Sequence, residues 1–473
     1  MSEEDAKPQP PSRLEELGYT QTLARRLSVT EVVGLAMADV SPTMAVLFLT
    51  AGVFVVGGTF SIGASLILSV VVVMIALCLA ELAALFPIAG GMYSLVRQVL
   101  PGPFSWITTF NYLIQGVVIP ASIALGIVGF LKDLFPGFGV PDTVAAVLLL
   151  ALATAIAVTK VEAGAWATAV MVVVELIVLA IITIGALLHP HQSLTEVTFH
   201  PTMMDGGELT AVTVAVMLAT LAPVFNVING YDAALGFSEE LKGGERKVAK
   251  TVVISAVLAC ILIVVPLTCA VVAAPDLKEF FSAPAPVVYS VEASLGSSAR
   301  IIVDVGASIA LFNAMLSLLM YFGRGVYTTG RDGIWPTAVN HAIGKLNRFR
   351  APAAGVLVLA VPAAVLVFTS ALNFLIIFAG TVIAAVYLCI GLAALYSRRS
   401  HPNEDRPYNL PLWPVPPLVV IVFTAVALAT QEKKYLVAEG ALVVVALGCW
   451  LASRRWTASE LGTSVSPAAS ADL

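Results

Sequence analysis

Twelve apolar segments follow one another along this chain, and each is close to the roughly 20 residues that a helix needs to cross a bilayer. Only 12% of the 473 residues are charged, 59% are hydrophobic, and the mean hydropathy is +0.95. A water-soluble domain of this length needs far more charge on its surface. We therefore predict an all-α polytopic membrane protein with twelve transmembrane helices. The segments are approximately 29–56, 61–86, 103–131, 142–160, 163–188, 211–238, 248–274, 299–328, 352–371, 373–397, 412–430 and 434–453.

Both ends of the chain are polar. The first 26 residues contain several acids and prolines and lack the basic start, apolar core and cleavage site of a secretory signal. We predict the following organisation: a cytoplasmic tail (1–26), five spans (27–190), an external loop (191–210), five more spans (211–400), two final spans (401–456) and a cytoplasmic tail (457–473).

The distribution of basic residues predicts the orientation in the membrane. With both termini inside, 20 of the 25 Lys and Arg residues lie on the cytoplasmic side. Such an excess is typical of cytoplasmic loops, and it supports an even number of spans. We therefore expect a multi-pass protein of the cell membrane, surrounded by lipid, with both termini in the cytoplasm.

Two apolar segments, at matching places in the two halves, are interrupted by polar and helix-breaking residues. The first contains Asp39 and the Ser41-Pro42 pair, and the second contains Asn229-Gly230 and Asp232. Carboxylates and unpaired backbone groups are costly in hydrocarbon unless they face protein or a watery cavity. Paired interruptions therefore indicate the central binding site of a transporter built from inverted repeats. The candidate substrate-binding residues are Asp39, Val40, Ser41, Pro42, Thr43, Asn111, Gln115, Phe225, Asn226, Asn229, Gly230, Tyr231 and Asp232.

Further motifs occur in a fixed order over nearly the whole chain. They are Ala80-Glu81-Leu82, Pro87 to Tyr93, Gly230-Tyr231-Asp232-Ala233, Ser238-Glu239-Glu240, Tyr327 to Pro336, Arg350-Ala351-Pro352 and Arg406-Pro407-Tyr408. Together they resemble the amino acid–polyamine–organocation (APC) permeases. The resemblance implies a 5+5 inverted-repeat core followed by two C-terminal helices. It also implies substrate binding between broken helices 1 and 6, and transport of amino acids, amines or polyamines by alternating access.

Two positions depart from the pattern of that family. Its usual glycine-rich break in helix 1 is replaced here by Asp39-Val40-Ser41-Pro42, whereas some amine-type and polyamine-type members carry Thr-Pro or Ser-Pro. The position four residues before Gly230 is often an aromatic gate, but here it is Asn226, with Phe225 one residue earlier. Phe225 or Tyr231 is therefore expected to help close the site.

Three acids inside apolar segments have more than one interpretation. Asp39 either attracts a substrate amine or takes part in ion coupling, or it caps a half-helix or pairs with a buried base. Asp232 either bonds the unwound backbone or contacts substrate. Glu175 falls roughly where proton-coupled members of the family place a lysine on helix 5. It is predicted to carry the coupled proton, the alternatives being a permanently protonated or a substrate-paired glutamate.

The remaining polar candidates lie on helix 3 and at the cytoplasmic helix ends. Asn111 and Gln115 either line the pathway or form interhelical hydrogen bonds. Six charged residues are predicted to form a network that latches the inward gate, or else they are solvated helix ends. They are Glu81, Arg97, Glu239, Glu240, Arg331 and Asp332.

These features predict a secondary transporter for an amino acid or small organic amine, coupled to protons. An exchanger that swaps an amino acid for its amine is the alternative on the same fold, and a non-transporting membrane sensor is a third hypothesis. The sequence contains no catalytic constellation, metal-ligand spacing, nucleic-acid module or phosphate-binding loop with a lysine, so we expect neither an enzyme nor a cofactor. The expected partners are a small-molecule substrate, H+ and the lipid bilayer; the sequence does not indicate an oligomeric state.

Overall fold

The computed structural model describes residues 27–88, 90–159, 165–238, 240–242, 244–349 and 351–464, and these are mainly helical. The predicted N-terminal tail, Glu239, Arg350 and the last nine residues of the predicted C-terminal tail lie outside the described residues.

Helices dominate both halves of the chain, with one short pair of strands between them. The elements of the first half, in chain order, are α1 (Val29–Val40), α2 (Pro42–Met44), a π-helix (Ala45–Leu49), α3 (Thr50–Gly57), α4 (Phe60–Leu85), α5 (Met92–Val99), α6 (Gly102–Leu134), α7 (Asp142–Ala157), α8 (Ala165–Leu188), α9 (Leu194–Phe199), β1 (Thr202–Asp205) and β2 (Glu208–Ala211). Those of the second half are α10 (Val214–Ala219), α11 (Leu221–Val227), a 3₁₀-helix (Tyr231–Phe237), α12 (Glu245–Val272), α13 (Leu277–Ser282), α14 (Pro286–Leu295), α15 (Ser297–Arg331), α16 (Thr337–Ile343), α17 (Ala353–Thr369), α18 (Leu372–Ser400), α19 (Val415–Ala429) and α20 (Lys433–Ser464).

Each predicted apolar segment coincides with a helix or with a run of helical pieces. Within the described ranges, nine such stretches are long and apolar enough to cross a membrane. They are Val29–Gly57, Phe60–Leu85, Gly102–Leu134, Val170–Leu188, Val214–Phe237, Arg246–Val272, Ser297–Arg331, Leu372–Ser400 and Lys433–Arg454. The other three predicted segments form the shorter apolar helices α7, α17 and α19.

The all-α fold class was predicted without any strand, but a short pair of strands occurs at the external loop predicted at 191–210. There β1 and β2 form a two-stranded antiparallel hairpin that pairs Asp205 with Glu208 next to the turn. The two turn residues, Gly206 and Gly207, have φ values of 57° and 87°. Two consecutive glycines with positive φ suit a tight hairpin whose twist matches that of its strands. This local turn signal explains why the chain forms a hairpin here.

The helices pack closely around a central group and present apolar side chains outward. α4 packs against α12, α6 packs against α15, and α18 contacts α6, α11 and α19. At Gly380 of α18, an added Cβ atom would lie only 2.1 Å from the backbone oxygen of Ala222. Outward-facing residues such as Val70, which is 58% exposed, are apolar. Exposed apolar surface on this scale is suited to lipid, and small residues permit close helix contacts there.

Candidate functional site

The first predicted break lies at Ser41, between α1 and α2. Ser41 adopts a left-handed conformation with φ 40°, and its N–H donates to the backbone oxygen of Met37 at 2.9 Å. Pro42 then begins a second helical piece, which continues through the π-helix to Gly57. Proline has no N–H and disfavours helical geometry in the residue before it, which explains why the chain turns here. The break is therefore where the sequence predicts it.

The second predicted break lies between α11 and the 3₁₀-helix, and it contacts the first. Gly230 has φ 96°, a conformation that favours glycine. A Cβ atom placed on Gly230 would lie 3.0 Å from both the Cα and the backbone N of Val40. The two interrupted helices therefore meet backbone to backbone, and only glycine permits this approach.

A second contact joins the same two helical pieces at their other ends. Leu27, just before α1, forms a parallel β-bridge with Leu241, which follows the 3₁₀-helix. The N–H of Leu27 donates to the oxygen of Glu240 at 3.0 Å, and the N–H of Lys242 donates to the oxygen of Leu27 at 2.8 Å. α1 and the 3₁₀-helix are thus joined both at the break and at the polar ends of the helices.

Asp39 is buried beside the first break and faces α15. The hydroxyl of Ser317 donates to Oδ1 of Asp39 at 3.3 Å. The described residues place no Lys or Arg within salt-bridge distance of this carboxylate. A buried carboxylate with one hydroxyl partner retains the capacity to accept hydrogen bonds from a cationic ligand.

A cavity of 320 Å³ extends from Asp39 along α15. Its wall combines Tyr112, Phe237 and Tyr321 with small residues, and it reaches Arg324 near the end of the helix. Asp39 is the acidic residue in this lining. The volume is at the lower end of the range for small-molecule sites, and aromatic faces next to an acid suit a small organic cation.

Glu175 of α8 lies against the first break and not in this cavity. Its Oε2 accepts a hydrogen bond from Ser41 Oγ at 3.1 Å and one from the N–H of Thr43 at 3.3 Å. Its own backbone oxygen accepts a bond from Thr43 Oγ1 at 3.1 Å. The glutamate predicted to carry a proton therefore caps the helical piece that starts at Pro42.

Asp232 is buried on the 3₁₀-helix and is held by α15. Its Oδ2 accepts a hydrogen bond from the hydroxyl of Tyr321 at 3.1 Å. Asp232 does not line the cavity, whereas Tyr321 does. The arrangement favours the structural alternative for Asp232, in which the acid fixes the unwound segment to a neighbouring helix.

Replacement of Tyr321 by phenylalanine is expected to lower the free energy of unfolding by about 1–3 kcal/mol, because a buried acceptor loses its donor. Thermal unfolding of the purified protein in detergent measures this effect. Tyr327→Phe is the matched control, since among the described residues Tyr327 has no hydrogen-bond partner and lies on the same helix. Equal stability losses in the two variants would show that the hydrogen bond to Asp232 contributes nothing.

The remaining polar candidates on the second break bind α18. Asn226 Nδ2 donates to the backbone oxygen of Ile376 at 3.0 Å, and Asn229 Oδ1 accepts from the hydroxyl of Tyr387 at 2.8 Å. The ring of Tyr387 also contacts Phe225 and Tyr231, with centroid distances of 5.6 and 6.4 Å. None of these four predicted site residues lines the cavity. In this structure they fix the break to its neighbour.

The predicted pathway residues of helix 3 face another part of the molecule. Asn111 donates to the backbone oxygen of Ile107 at 3.1 Å, and Gln115 donates to that of Asn111 at 3.1 Å. Asn111 also lies beside Glu439, a buried acid of α20. Neither residue lines the cavity, which instead includes the neighbouring Tyr112. Both hydrogen bonds stay within α6, so only the position of Asn111 beside Glu439 of α20 favours the interhelical alternative, and for that residue alone.

The charged residues at the helix ends form two separate groups. Asp332 accepts a hydrogen bond from the Tyr93 hydroxyl at 3.2 Å, and its carboxylate lies 3.9 Å from Arg97 and 3.4 Å from Arg331. Glu81 instead pairs with two arginines that were not among the predicted network residues. These are Arg398 at 2.8 Å and Arg406 at 3.2 Å.

The polar face of α15 was not among the predicted substrate-binding residues. Asn313, Ser317, Tyr321, Arg324 and Thr328 all line the cavity. Successive members are separated by four, four, three and four positions, which is the spacing of one helix face. This periodicity within an apolar segment was present in the sequence and would have identified the cavity wall.

Comparison with known proteins shows a clear relationship. The profile of a family described as "Amino acid permease" matches residues 27–450. The branched-chain amino acid permease BcaP of Lactococcus lactis is 25% identical over 392 residues, which cover 78% of this chain and 82% of the relative. The methylthioribose transporter of Bacillus subtilis is 23% identical over 428 residues, covering 85% and 87%. The human cationic amino acid transporter 4 is 25% identical over 353 residues, covering 70% of this chain and 53% of the relative.

Proposed function

This chain belongs to the amino acid permease family of the APC superfamily, and from that premise we propose that it is a secondary transporter for an amino acid or small organic amine. It is a multi-pass membrane protein, as its family and its apolar helices require. The observation that carries the proposal is the backbone contact between two interrupted helices at Gly230 and Val40, beside a cavity that contains a buried acid. Discontinuous helices of this kind form the central sites of transporters.

We further propose twelve spans, with the first ten arranged as two inverted repeats of five. In support, the second and third long helices of the first half, α4 and α6, pack against their counterparts α12 and α15 in the second half. The excess of basic residues in one set of loops supports cytoplasmic termini and a cell-membrane location. The cavity then leads from the break toward the cytoplasm, because Arg324 and Thr328 are near the cytoplasmic end of α15.

In the proposed cycle, the substrate ammonium binds Asp39 in the cavity, and the aromatic wall encloses its organic part. The outward-facing state requires α1 and the 3₁₀-helix to close this cavity while the opposite side of the break opens. The polar group around Asp332 lies at the same end as the cavity and is suited to stabilise one of the two states. The names of the relatives cover branched-chain amino acids, cationic amino acids and methylthioribose, so they support a small-molecule cargo without selecting one.

Proton coupling through Glu175 is the second part of the proposal. The Oε1 atom of Glu175 is buried without a hydrogen-bond partner in the described structure, while Oε2 accepts two bonds. Oε1 is therefore the atom on which a coupled proton would reside. Gain or loss of that proton would change the contact between α8 and the break. Substrate and proton binding would then be linked through Ser41 and Thr43.

Uptake by proteoliposomes is expected to be stimulated by an inward proton gradient, and Glu175→Gln is expected to lose that stimulation because glutamine cannot release a proton. The measurement is radiolabelled uptake with and without the gradient. Glu439→Gln is the matched control, since Glu439 is also a buried acid in an apolar helix but does not contact the break. Full stimulation of uptake by the proton gradient in Glu175→Gln would exclude this coupling role. If the wild-type protein binds a ligand but does not transport it, a membrane sensor is favoured.

A further inference from the structure

We infer that Glu175 is a built-in carboxylate that fills the subsite for a substrate α-carboxylate, so that the cargo is a primary amine with no carboxylate on the ammonium-bearing carbon. The inference rests on the proposed transport function and narrows its substrate class. Three observations support it: the group that binds the start of the helical piece after Ser41, the charges near that start, and the shape of the cavity.

The helical piece that begins at Pro42 and runs to Gly57 presents an anion site at its start. Its first residue has no N–H, so the N–H of Thr43 is the first backbone donor at this end. The positive end of the helix dipole and the Ser41 hydroxyl lie at the same place. Backbone donors and the helix dipole together favour a carboxylate here, and in a transporter they would suit the carboxylate of an amino acid.

The structure fills this anion site from within the protein. Glu175 is only 3% exposed, and its Oε2 accepts bonds from both Ser41 Oγ and the Thr43 N–H. Thr43 Oγ1 in turn donates to the backbone oxygen of Glu175, which holds α8 against the break. A substrate carboxylate would have to displace Glu175 from these donors, and it would then leave that acid buried without them.

The charge of the neighbouring groups also disfavours a second carboxylate. Ser41, Thr43 and Glu175 are all buried and do not line the cavity, while the nearby lining residue Asp39 is another acid. An α-amino acid that placed its ammonium at Asp39 would bring its carboxylate toward two acids. An amine lacking that group presents only the cation that Asp39 binds.

The cavity fits such an amine. The wall between Asp39 and Arg324 consists largely of apolar and aromatic side chains, including Leu35, Leu316 and Met320. A short apolar chain attached to an ammonium group would place its charge at Asp39 and its carbon atoms against this wall. Arg324, at the other end, disfavours a second ammonium group, so a monoamine fits the lining better than a diamine.

Matched ligand pairs test the inference on the wild-type protein. Each pair consists of an amine and the amino acid that carries one additional α-carboxylate: isobutylamine with valine, isopentylamine with leucine, and phenethylamine with phenylalanine. Each ligand is titrated into the purified full-length protein, and the thermal stability of the protein is the readout for binding. For at least one pair, the Kd of the amine is expected to be lower than the Kd of its amino acid by about tenfold or more. Equal or tighter binding of the amino acids would overturn the inference and leave the transport proposal intact. Binding of no member of any pair would contradict both.

Two substitutions at Glu175 make the test more specific. Glu175→Ala frees the Thr43 N–H, so the preference for the amine over its amino acid is expected to fall by about tenfold. Glu175→Gln retains a carbonyl oxygen at this place but loses the charge, so it is expected to keep more of the amine preference than Glu175→Ala even though it loses proton-driven uptake. An unchanged preference in Glu175→Ala would overturn the inference. If that variant does not fold, the wild-type comparison decides by itself.

Discussion

Replacement of Gly230 by alanine is expected to reduce uptake to background and to lower the free energy of unfolding by about 2–5 kcal/mol. Gly230 has φ 96°, so a side chain there is strained whatever space surrounds it. The added Cβ atom would also lie 3.0 Å from the backbone of Val40. Backbone atoms cannot rotate away as the end of a flexible side chain can, so the two breaks would have to separate.

The expected separation is measurable as loss of both stability and transport. Uptake by proteoliposomes gives the functional effect, and thermal unfolding in detergent gives the stability change. Gly34→Ala is the matched control on α1, because an added Cβ atom there meets nothing within 4 Å. Alanine is favoured over glycine in a helix by up to about 1 kcal/mol, so this control should be neutral or slightly more stable. Wild-type uptake by Gly230→Ala would show that the contact between the breaks is not required.

Replacement of Asp39 by asparagine is expected to weaken substrate binding by roughly 10- to 100-fold, because a hydrogen bond to a charged partner contributes about 1.5–3 kcal/mol. Asparagine keeps the size of the side chain and an oxygen that can accept the bond from Ser317. The change therefore removes the charge with little effect on packing. The measurement is the Kd of the best ligand from the stability screen, together with the uptake rate at a fixed concentration of that ligand.

The control for Asp39→Asn is another neutralised acid in the membrane region. Glu439 is buried on α20 and does not line the cavity, so Glu439→Gln should leave the Kd close to that of the wild type. A similar loss in both variants would point to a general effect of buried charge. An unchanged Kd in Asp39→Asn would show that Asp39 does not bind the substrate.

The two helix breaks could be predicted from the sequence because their signals are local. Pro42 acts on the residue directly before it, and Gly230 supplies the positive φ that other residues rarely adopt. Membrane-spanning segments are predictable for a similar reason, since length and apolarity are properties of a short stretch. The hairpin was not predicted within the external loop at 191–210, although its two adjacent glycines are also a local signal.

Partner choice could not be predicted in the same way. Ser41 and Glu175 are 134 positions apart, and nothing in either segment indicates that they meet. The same is true of Glu81, whose partners Arg398 and Arg406 are more than 300 positions away along the chain. Such contacts depend on how whole helices pack, so the sequence indicated which groups need partners without indicating which partners they find.

Asn226 and Asn229 show that the position of a residue can be predicted when its hydrogen-bond partner cannot. Their position beside Gly230 predicts a role at the break, and the structure does place them there. Their amides, however, bind Ile376 and Tyr387 of α18. A polar residue in an apolar segment needs a partner, and another helix satisfies this need as well as a ligand does.

The β-bridge between Leu27 and Leu241 determines how α1 can move. This bridge joins one end of α1 to the segment after the 3₁₀-helix, and the close approach of Gly230 to Val40 packs the other end against it. Neither piece can therefore tilt alone without breaking backbone contacts. The two pieces are therefore expected to move together as one rigid body. A crosslink engineered between these two pieces should leave turnover intact, whereas one that ties α1 to α15 should stop it.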